Sequence, residues 1–318
     1  MERTPERTIS VIIPTYDRQK ELQQCLEGLR QQTHGKYEVI VLNDGGPALN
    51  RDAPQFRELD DLVSRENVTV LNSPKRNGSA KVRNHGYSIS KGDLIAFTDD
   101  DAIPESNWLE SINRYFEVHP TVTAMNGRIE AVALDTAGER IRQAYYDYRQ
   151  QIHLSGVLDP YYRIKYNLVT DVPNLTDWLS LGNCVLQKEK VGERKMLFDD
   201  SMKLNYGRKL GREFMRNGQL VTYAPDPVIR HHHARTIREM LGTRAKNGRN
   251  FCQIDDEERR TYGERFTEMM RYFKYVFGNG RLKRADKLLE AVYSTAFISS
   301  YVCQKVKNTV LSSAYVKA

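Results

Sequence analysis

The chain has 318 residues, 40% apolar and 28% charged, a balance that excludes an intrinsically disordered protein and allows two domains or one large α/β unit. Four separated cysteines, Cys25, Cys184, Cys252 and Cys303, form no CxxC pair; this excludes a disulfide scaffold and a cysteine-rich zinc site and fits a reducing compartment. The net charge of +7 is concentrated from Arg230 onward, where 18 Lys and Arg stand against 9 Asp and Glu, while the preceding residues hold 30 and 32.

The first residues, MERTPERT, are charged where a signal peptide needs an apolar stretch. No apolar run approaches the ~18 residues of a membrane span. The expected location is cytoplasmic, or peripheral to the inner face of a membrane. A basic tail suits nucleic acid, an anionic membrane, a phosphorylated substrate, or simply a solvated helical face.

Residues 8–14 (TISVIIP) read as a buried strand ending at a proline. Asp17 is then placed to cap a helix with Leu22, Cys25, Leu26 and Leu29 on one face. Residues 38–44 (EVIVLND) and 67–73 (NVTVLNS) are further strands, a helix runs through 80–89, and 93–101 (DLIAFTDDD) is a strand that ends in three carboxylates. Strands alternating with helices predict crossover units and a mainly parallel sheet covered on both faces, with the ligand at the carboxyl ends of the strands. Ser106 is placed to cap a helix that buries Trp108, Leu109, Ile112 and Phe116, and 122–134 reads as strand. Residues 144–177 show no clear period and read as a long loop with short helices. Its tyrosines (Tyr145, Tyr146, Tyr148, Tyr161, Tyr162, Tyr166) either stack on a sugar or lipid-linked acceptor or fill a small core. Residues 179–187 read as strand or turn, 211–217 as part of a helix, and 220–233 as a strand, a proline turn and a histidine cluster. Helical faces follow, one with Phe266, Met270, Phe273 and Phe277, another with Leu289, Val292, Ala296 and Val302.

Asp99, Asp100 and Asp101 carry the strongest chemical signal. Adjacent carboxylates repel one another unless a cation is near, and in an extended segment Asp99 and Asp101 point to the same side. That spacing suits a hard divalent ion completed by phosphate oxygens and water; a charged turn tip reads the same way. Asp44 ends a parallel strand before Gly45 and Gly46, either to accept the imide N–H of a uracil, thymine or guanine edge or as a turn residue. Lys81 and Arg83 stand near the same edge, for a diphosphate or as a solvated helix start. Neither GxGxxG nor GxxxxGK[ST] occurs, so a nucleotide site is of another kind.

Four segments, SVIIPTYDR (10–18), VLNDGG (41–46), GSAKVRNHG (78–86) and GDLIAFTDDD (92–101), in this order and spacing resemble the family 2 glycosyltransferases of the GT-A fold. The resemblance continues through GNCVLQKEKV (182–191), FDD (198–200) and YAPDPVIRHHHART (223–236), and no named motif lies beyond about Gly248. It implies an α/β GT-A fold: residues 1–120 as the nucleotide-sugar half, 121–235 as the acceptor half of the same domain, and 236–318 as a basic helical extension. It implies Pro14, Thr15, Tyr16, Asp17 and Asp44 around the nucleoside, with Lys81, Arg83, Asp99 and Asp100 also on the donor. Asp99 and Asp101 match the DXD pair that holds Mn²⁺ or Mg²⁺ on the diphosphate. His231, with His233 on the same side if the chain stays extended, completes the metal shell or faces the diphosphate. The implied activity is transfer of a sugar (EC 2.4 class), with inversion, from a nucleotide-sugar such as a UDP-sugar to a glycan, lipid-linked or other hydroxyl acceptor.

One place departs from the pattern. Relatives carry an acidic pair before the last helix of the domain, and its Asp is the usual base. Here Tyr206 and Gly207 hold that place. Asp199, Asp200 and Glu213 are the nearby carboxylates, Asp200 foremost. The departure motivates an alternative, a nucleotide-sugar-binding protein without turnover. A nucleotidyltransferase is disfavoured by PTYDR after the first strand, and a nucleic-acid partner is not expected.

Overall fold

The structure, a computed structural model, describes residues 6–49, 65–194, 196–202, 205–233, 236–257, 262–280 and 282–315. The chain divides into two compact units, Met1–Glu130 with Gln150–His231, and Ala131–Arg149 with His232–Ala318.

The first unit is built on an eight-stranded sheet. Its apolar runs form β1 (Ile9–Thr15), β2 (Tyr37–Asn43), β3 (Val68–Asn72) and β4 (Leu94–Thr98), which pair in parallel with Val11 opposite both Val39 and Ala96. Between them lie α1 (Gln19–Arg30) and α2 (Ser79–Ile89). Ile9, Val11, Ile12, Ile13, Leu94, Ile95, Ala96 and Phe97 are wholly buried, as continuous apolar strands covered on both faces require. Beyond β4 the pairing turns antiparallel. The strand order is β3-β2-β1-β4-β7-β6-β8-β5, completed by β5 (Ala102–Pro104), β6 (Val122–Ala131), β7 (Asn183–Gln187) and β8 (Leu220–His231). The parallel part is therefore the first hundred residues. Strand direction beyond them is set by where the chain returns, which no local pattern records.

Helix faces follow the sequence more closely than helix ends. α1 buries Leu22, Cys25, Leu26 and Leu29, but Asp17 does not cap it; Asp17 lies at φ +54° and Arg18 is the N-cap, without a side-chain bond. α3 (Trp108–Val118) buries Trp108, Leu109, Ile112 and Phe116, and starts after Asn107 rather than on a Ser106 cap. α2 lies directly on the sheet, because a Cβ at Gly86 would come within 2.6 Å of Ile12 Cγ2. The expected loop at 144–177 is mostly helical, with α4 (Ala137–Leu154) and α5 (Asp159–Tyr166). The inner face of α5 is Asp159, Tyr162 and Tyr166, all buried; polar and aromatic residues there hide the apolar period that marks an amphipathic helix. The expected proline turn in 220–233 is also absent. β8 continues through Pro225 and Pro227 to His231, and the Pro227 carbonyl is used by Asn183 Nδ2 at 2.9 Å. α6 (Lys188–Val191) and α7 (Tyr206–Arg216) complete this unit.

The second unit contains the first part of α4 and three helices, α8 (Ile237–Glu257), α9 (Tyr262–Gly278) and α10 (Arg284–Tyr315). α8 meets α10 where Gly248 faces the Phe297 backbone with no room for a Cβ. Two acids of α10 are buried against arginines, Asp286 with Arg140 at 2.8 Å and Glu290 with Arg244 at 2.9 Å. Among the described residues no helix is long and apolar enough to cross a membrane.

Candidate active site

The carboxyl end of β4 runs through Asp99, Asp100 and Asp101 into β5, and β5 pairs with the last residues of β8, setting Ala102 opposite His231. This pairing brings an imidazole from 130 positions further along the chain to the carboxylates. His231 Nε2 lies 3.1 Å from Asp101 Oδ1 and 3.5 Å from Asp99 Oδ2. The other oxygen of each carboxylate is held by an arginine: Arg83 Nη2 donates to Asp99 Oδ1 at 2.5 Å, and Arg18 Nη1 to Asp101 Oδ2 at 2.6 Å. Asp100 points elsewhere, accepting from Thr15 Oγ1 at 2.7 Å and Arg18 Nη1 at 3.2 Å. Asp99, Asp101 and His231 are the one group among the described residues whose ligand atoms gather as for a metal, all within 4.8 Å of one another. Adjacent donors around a small octahedral cation sit ~3 Å apart, and two carboxylates with an imidazole suit such an ion. Gly182 keeps the space open, since a Cβ there would lie 3.1 Å from Asp99 Oδ2.

The environment separates the acids. Burial pushes the Asp99 carboxyl up, but the hydrogen bond from His231 and the charges of Arg83, His231 and Arg18 outweigh it and hold it at about 2. Asp100 is raised to about 6, chiefly by burial, against the Thr15 hydrogen bond and the Arg18 charge.

At the neighbouring strand end, Asp44 is buried and its two oxygens accept the backbone N–H groups of Asn77 at 2.6 Å and Gly78 at 2.9 Å. Asp44 thus builds the turn that leads into α2. Gly45, at φ +84°, lets that turn pass so close that a Cβ would lie 2.5 Å from the Arg76 nitrogen. Tyr16 is exposed, with the Arg76 guanidinium 4.3 Å above its ring. Pro14 sits within β1 opposite Leu42. Asp17 and Lys81 are exposed at the same edge. His233 lies past the end of β8 and belongs to the second unit, where it is buried and stacked on Tyr146 at 5.5 Å. The extension that would set it beside His231 stops at β8.

A family model described as Glycosyl transferase family 2 matches residues 10–169. The chain belongs to this family. Glycosyltransferase AglE of Haloferax volcanii is 36% identical over 105 residues, covering 32% of this chain and 33% of that protein. Glycosyltransferase GlyG of Streptococcus pneumoniae is 31% identical over 105 residues, covering 33% of each. The matching stretch spans about a third of the length of these curated relatives. Pre-mycofactocin glycosyltransferase of Mycobacterium tuberculosis is 25% identical over 243 residues, 76% of this chain and 46% of that one. Among solved structures, the mannosyltransferase PcManGT from Pyrobaculum calidifontis, in complex with GDP-Man and Mn²⁺, superposes with a TM-score of 0.53 at 15% identity, covering 96% of this chain and 76% of that one. TarS (residues 1–349) of S. aureus superposes with a TM-score of 0.53 at 13% identity, covering 95% and 73%. The fold is the expected GT-A fold.

Within this family 2 domain, the place of the usual acidic pair has a definite structure. Tyr206 begins α7, and its hydroxyl accepts from Arg83 Nη1 at 2.7 Å and meets Ser79 Oγ at 2.8 Å. A Cβ at Gly207 would lie 2.6 Å from the Leu179 carbonyl oxygen, so the backbone leaves no space for an aspartate. Asp199 is tied to Lys209 at 2.9 Å and to Ser201, and the Lys209 and Ser201 hydrogen bonds hold its carboxyl at about 2. Glu213 is paired with Arg194 at 2.8 Å and stands about 10 Å along α7 from Tyr206. Asp200 is exposed, in a segment clamped by Asn84, which bonds both the N–H and the carbonyl of Phe198. Sequence reasoning did not single out Arg18, Ser79, Gly182 or a positive role for Tyr206. Arg18 and Gly182 lie inside the quoted motifs, but their neighbours at the site are fixed only by the sheet.

Proposed function

We propose that this protein is a metal-dependent glycosyltransferase that moves a sugar from a nucleoside-diphosphate donor, a UDP-sugar foremost, to an acceptor hydroxyl with inversion, in glycan or polysaccharide synthesis. The observation that carries the reading is the convergence of Asp99, Asp101 and His231 at the strand ends of a family 2 domain.

The three side chains would hold Mn²⁺ or Mg²⁺, which when bound supplies Lewis-acid stabilisation of the departing diphosphate. Arg83 and Arg18 fix the rotamers of the two carboxylates before donor arrives, so little reorganisation is needed during transfer. Tyr16 offers its exposed ring to the base. The remaining lone pairs of Asp44 face the imide N–H that uracil carries and cytosine lacks. Lys81 lies toward the diphosphate. Asp200 takes the acceptor proton as the acceptor oxygen bonds to the anomeric carbon and the bond to diphosphate breaks; among the described residues it has no ion pair, unlike Asp199 and Glu213.

A second reading, donor binding without turnover, draws on Gly207, where an aspartate cannot be accommodated. A panel of nucleotide-sugars tested with and without Mn²⁺ separates the two. Metal-dependent thermal stabilisation by a uridine donor, lost in Asp101→Asn, is expected of both. Consumption of donor, lost in Asp200→Asn with donor affinity kept, is expected of the transferase alone. Stabilisation that is indifferent to metal or survives Asp101→Asn would remove the common basis.

A further inference from the structure

Asn84 follows Arg83 in α2 and is buried. Its carboxamide reaches a segment 113 positions further on. Oδ1 accepts the backbone N–H of Leu197 at 3.0 Å and that of Phe198 at 2.8 Å, and Nδ2 donates to the Phe198 carbonyl at 2.8 Å. Leu197 and Phe198 are both buried and lie between α6 and α7, outside either helix. Their buried backbone groups need partners, and one asparagine does for this stretch what a neighbouring strand would do.

The residues on either side of the clamp are also fixed. The Phe198 ring sits edge-on between Phe97 of β4, at 5.3 Å, and Tyr206, at 5.1 Å. A tight turn follows directly. Met202 N–H bonds the Asp199 carbonyl at 3.2 Å, and Asp199 Oδ1 accepts the Ser201 N–H at 3.1 Å, the pattern of a β-turn opened by an aspartate. Lys209 of α7 holds the other Asp199 oxygen at 2.9 Å. Asp200 is the first corner residue of this turn and is exposed. Its place therefore depends on two steps, the turn and the two residues before it, and Asn84 fixes those residues on α2.

We propose that Asn84 is a positioning residue for the Asp200 carboxylate. The inference rests on the transferase reading with Asp200 as base. The amide is buried and committed to backbone, so it acts through the turn and not on the substrate. Adjacent residues of one helix then align the two halves of the reaction: Arg83 holds Asp99 on the metal side, and Asn84 holds the turn that carries the base. A misplacement of about 1 Å costs about a hundredfold in rate, and a single helix carrying both anchors keeps them in register.

The test is a double-mutant cycle of Asn84→Ala and Asp200→Asn in the full chain. It measures single-turnover release of UDP from the uridine donor that stabilises the parent most, together with Mn²⁺-dependent donor affinity. Asn84→Ala is expected to slow release about ten- to a hundredfold, with donor affinity within about threefold of the parent, which also shows the variant folded. In the Asp200→Asn background the same change is expected to cost no more than about twofold, because the group it places is already disabled. Asn84→Asp, which keeps an acceptor for both N–H groups, is expected to lose less, and it carries the same cycle if the alanine variant does not fold. Multiplicative effects, a rate unchanged in Asn84→Ala, or a loss of donor affinity as large as the loss of rate would each overturn the proposal and leave the transferase reading standing. Release unchanged in Asp200→Asn would overturn the base and its positioning together. A parent that binds donor with Mn²⁺ and releases no UDP would remove the transferase reading itself, and the proposal with it.

Discussion

Arg83 bridges Asp99, sixteen positions ahead of it, and Tyr206, which lies 123 positions away. Its guanidinium is buried, so each lost partner leaves an N–H without water. Tyr206→Phe keeps the ring against Phe198, at 5.1 Å, and removes only the hydroxyl. We expect a loss of ~1–3 kcal/mol in stability by denaturant unfolding. A weaker Mn²⁺-dependent donor interaction should accompany it, because the support of Asp99 loosens. Unchanged metal titration in this variant would confine Tyr206 to packing. The neighbouring position behaves differently. Gly207→Asp restores the acid that relatives carry, yet its Cβ meets the Leu179 carbonyl. The expected result is lower stability and no gain in donor turnover, read by calorimetry and by release of nucleoside diphosphate. A gain in turnover at full stability would show that the backbone can yield there.

At the scale of elements, one carboxylate of α5 organises the backbone at Asn174 and Leu175. Asp159 lies in its first turn, where an acid is favoured by the helix dipole, and it accepts two backbone N–H groups of the following loop at 3.0 and 2.8 Å. Asp159→Ala leaves the buried Leu175 N–H and the half-buried Asn174 N–H without this partner. The expected cost is ~1–3 kcal/mol for each group, with early exchange of the Asn174 and Leu175 amides in hydrogen-exchange measurements. A loss confined to a few tenths of a kcal/mol would mean that the loop re-forms its bonds elsewhere. β8 shows the opposite economy of means. It runs through Pro225 and Pro227, and its pairing with β5 involves Ile229, Arg230 and His231, beyond both prolines. That pairing carries His231 to the carboxylates.

Over the whole molecule, a buried charge in the first unit, Asp177, contributes to stability against acid. Asp177 accepts from Tyr166 at 2.9 Å, Lys165 at 3.2 Å and Arg212 at 3.3 Å. Burial opposes its charged form, but Arg208, Arg212, Lys165 and the Tyr166 hydrogen bond outweigh burial and hold the carboxyl well below the usual range. Because the folded carboxyl titrates below the unfolded one, at ~3.9, its contribution is full above that value and is lost as the pH falls through the folded one. Asp177→Asn is expected to lower stability at neutral pH by ~3–5 kcal/mol, since it leaves buried arginines uncompensated. The variant should also lose less on going from about pH 5 to about pH 3 than the parent does. A parent and variant with parallel acid profiles would place the titrating group elsewhere. In the second unit, the described acids of α10 are buried against Arg140 and Arg244, so they contribute little to the surface that carries the basic surplus.

The parallel strands, the buried faces of α1 and α3, and the placement of Asp99 and Asp101 on one side were legible from residue order alone. Each depends on a local period: two for strands, 3.6 for helices, and a carboxylate at every second position of an extended segment. The family was equally legible, because four short motifs lie in register within the first 105 residues. Helix caps, the helices hidden in 144–177 and the unbroken course of β8 were not, since each is decided by partners distant in the chain. Asp159 carries no signal in the sequence, and its role comes only from the Asn174 and Leu175 N–H groups that fold onto it. Tyr206 reads as the loss of an acid until Arg83 and Ser79 are found at its hydroxyl. Asp44 reads as open to a ligand or as a turn residue, and only folding shows that each of its oxygens also accepts an N–H of the α2 turn. Composition and local period determine which segments are buried; only the tertiary structure decides which polar atoms meet, because hydrogen bonds of 3 Å cannot be inferred from spacing along a chain that returns from more than a hundred residues away.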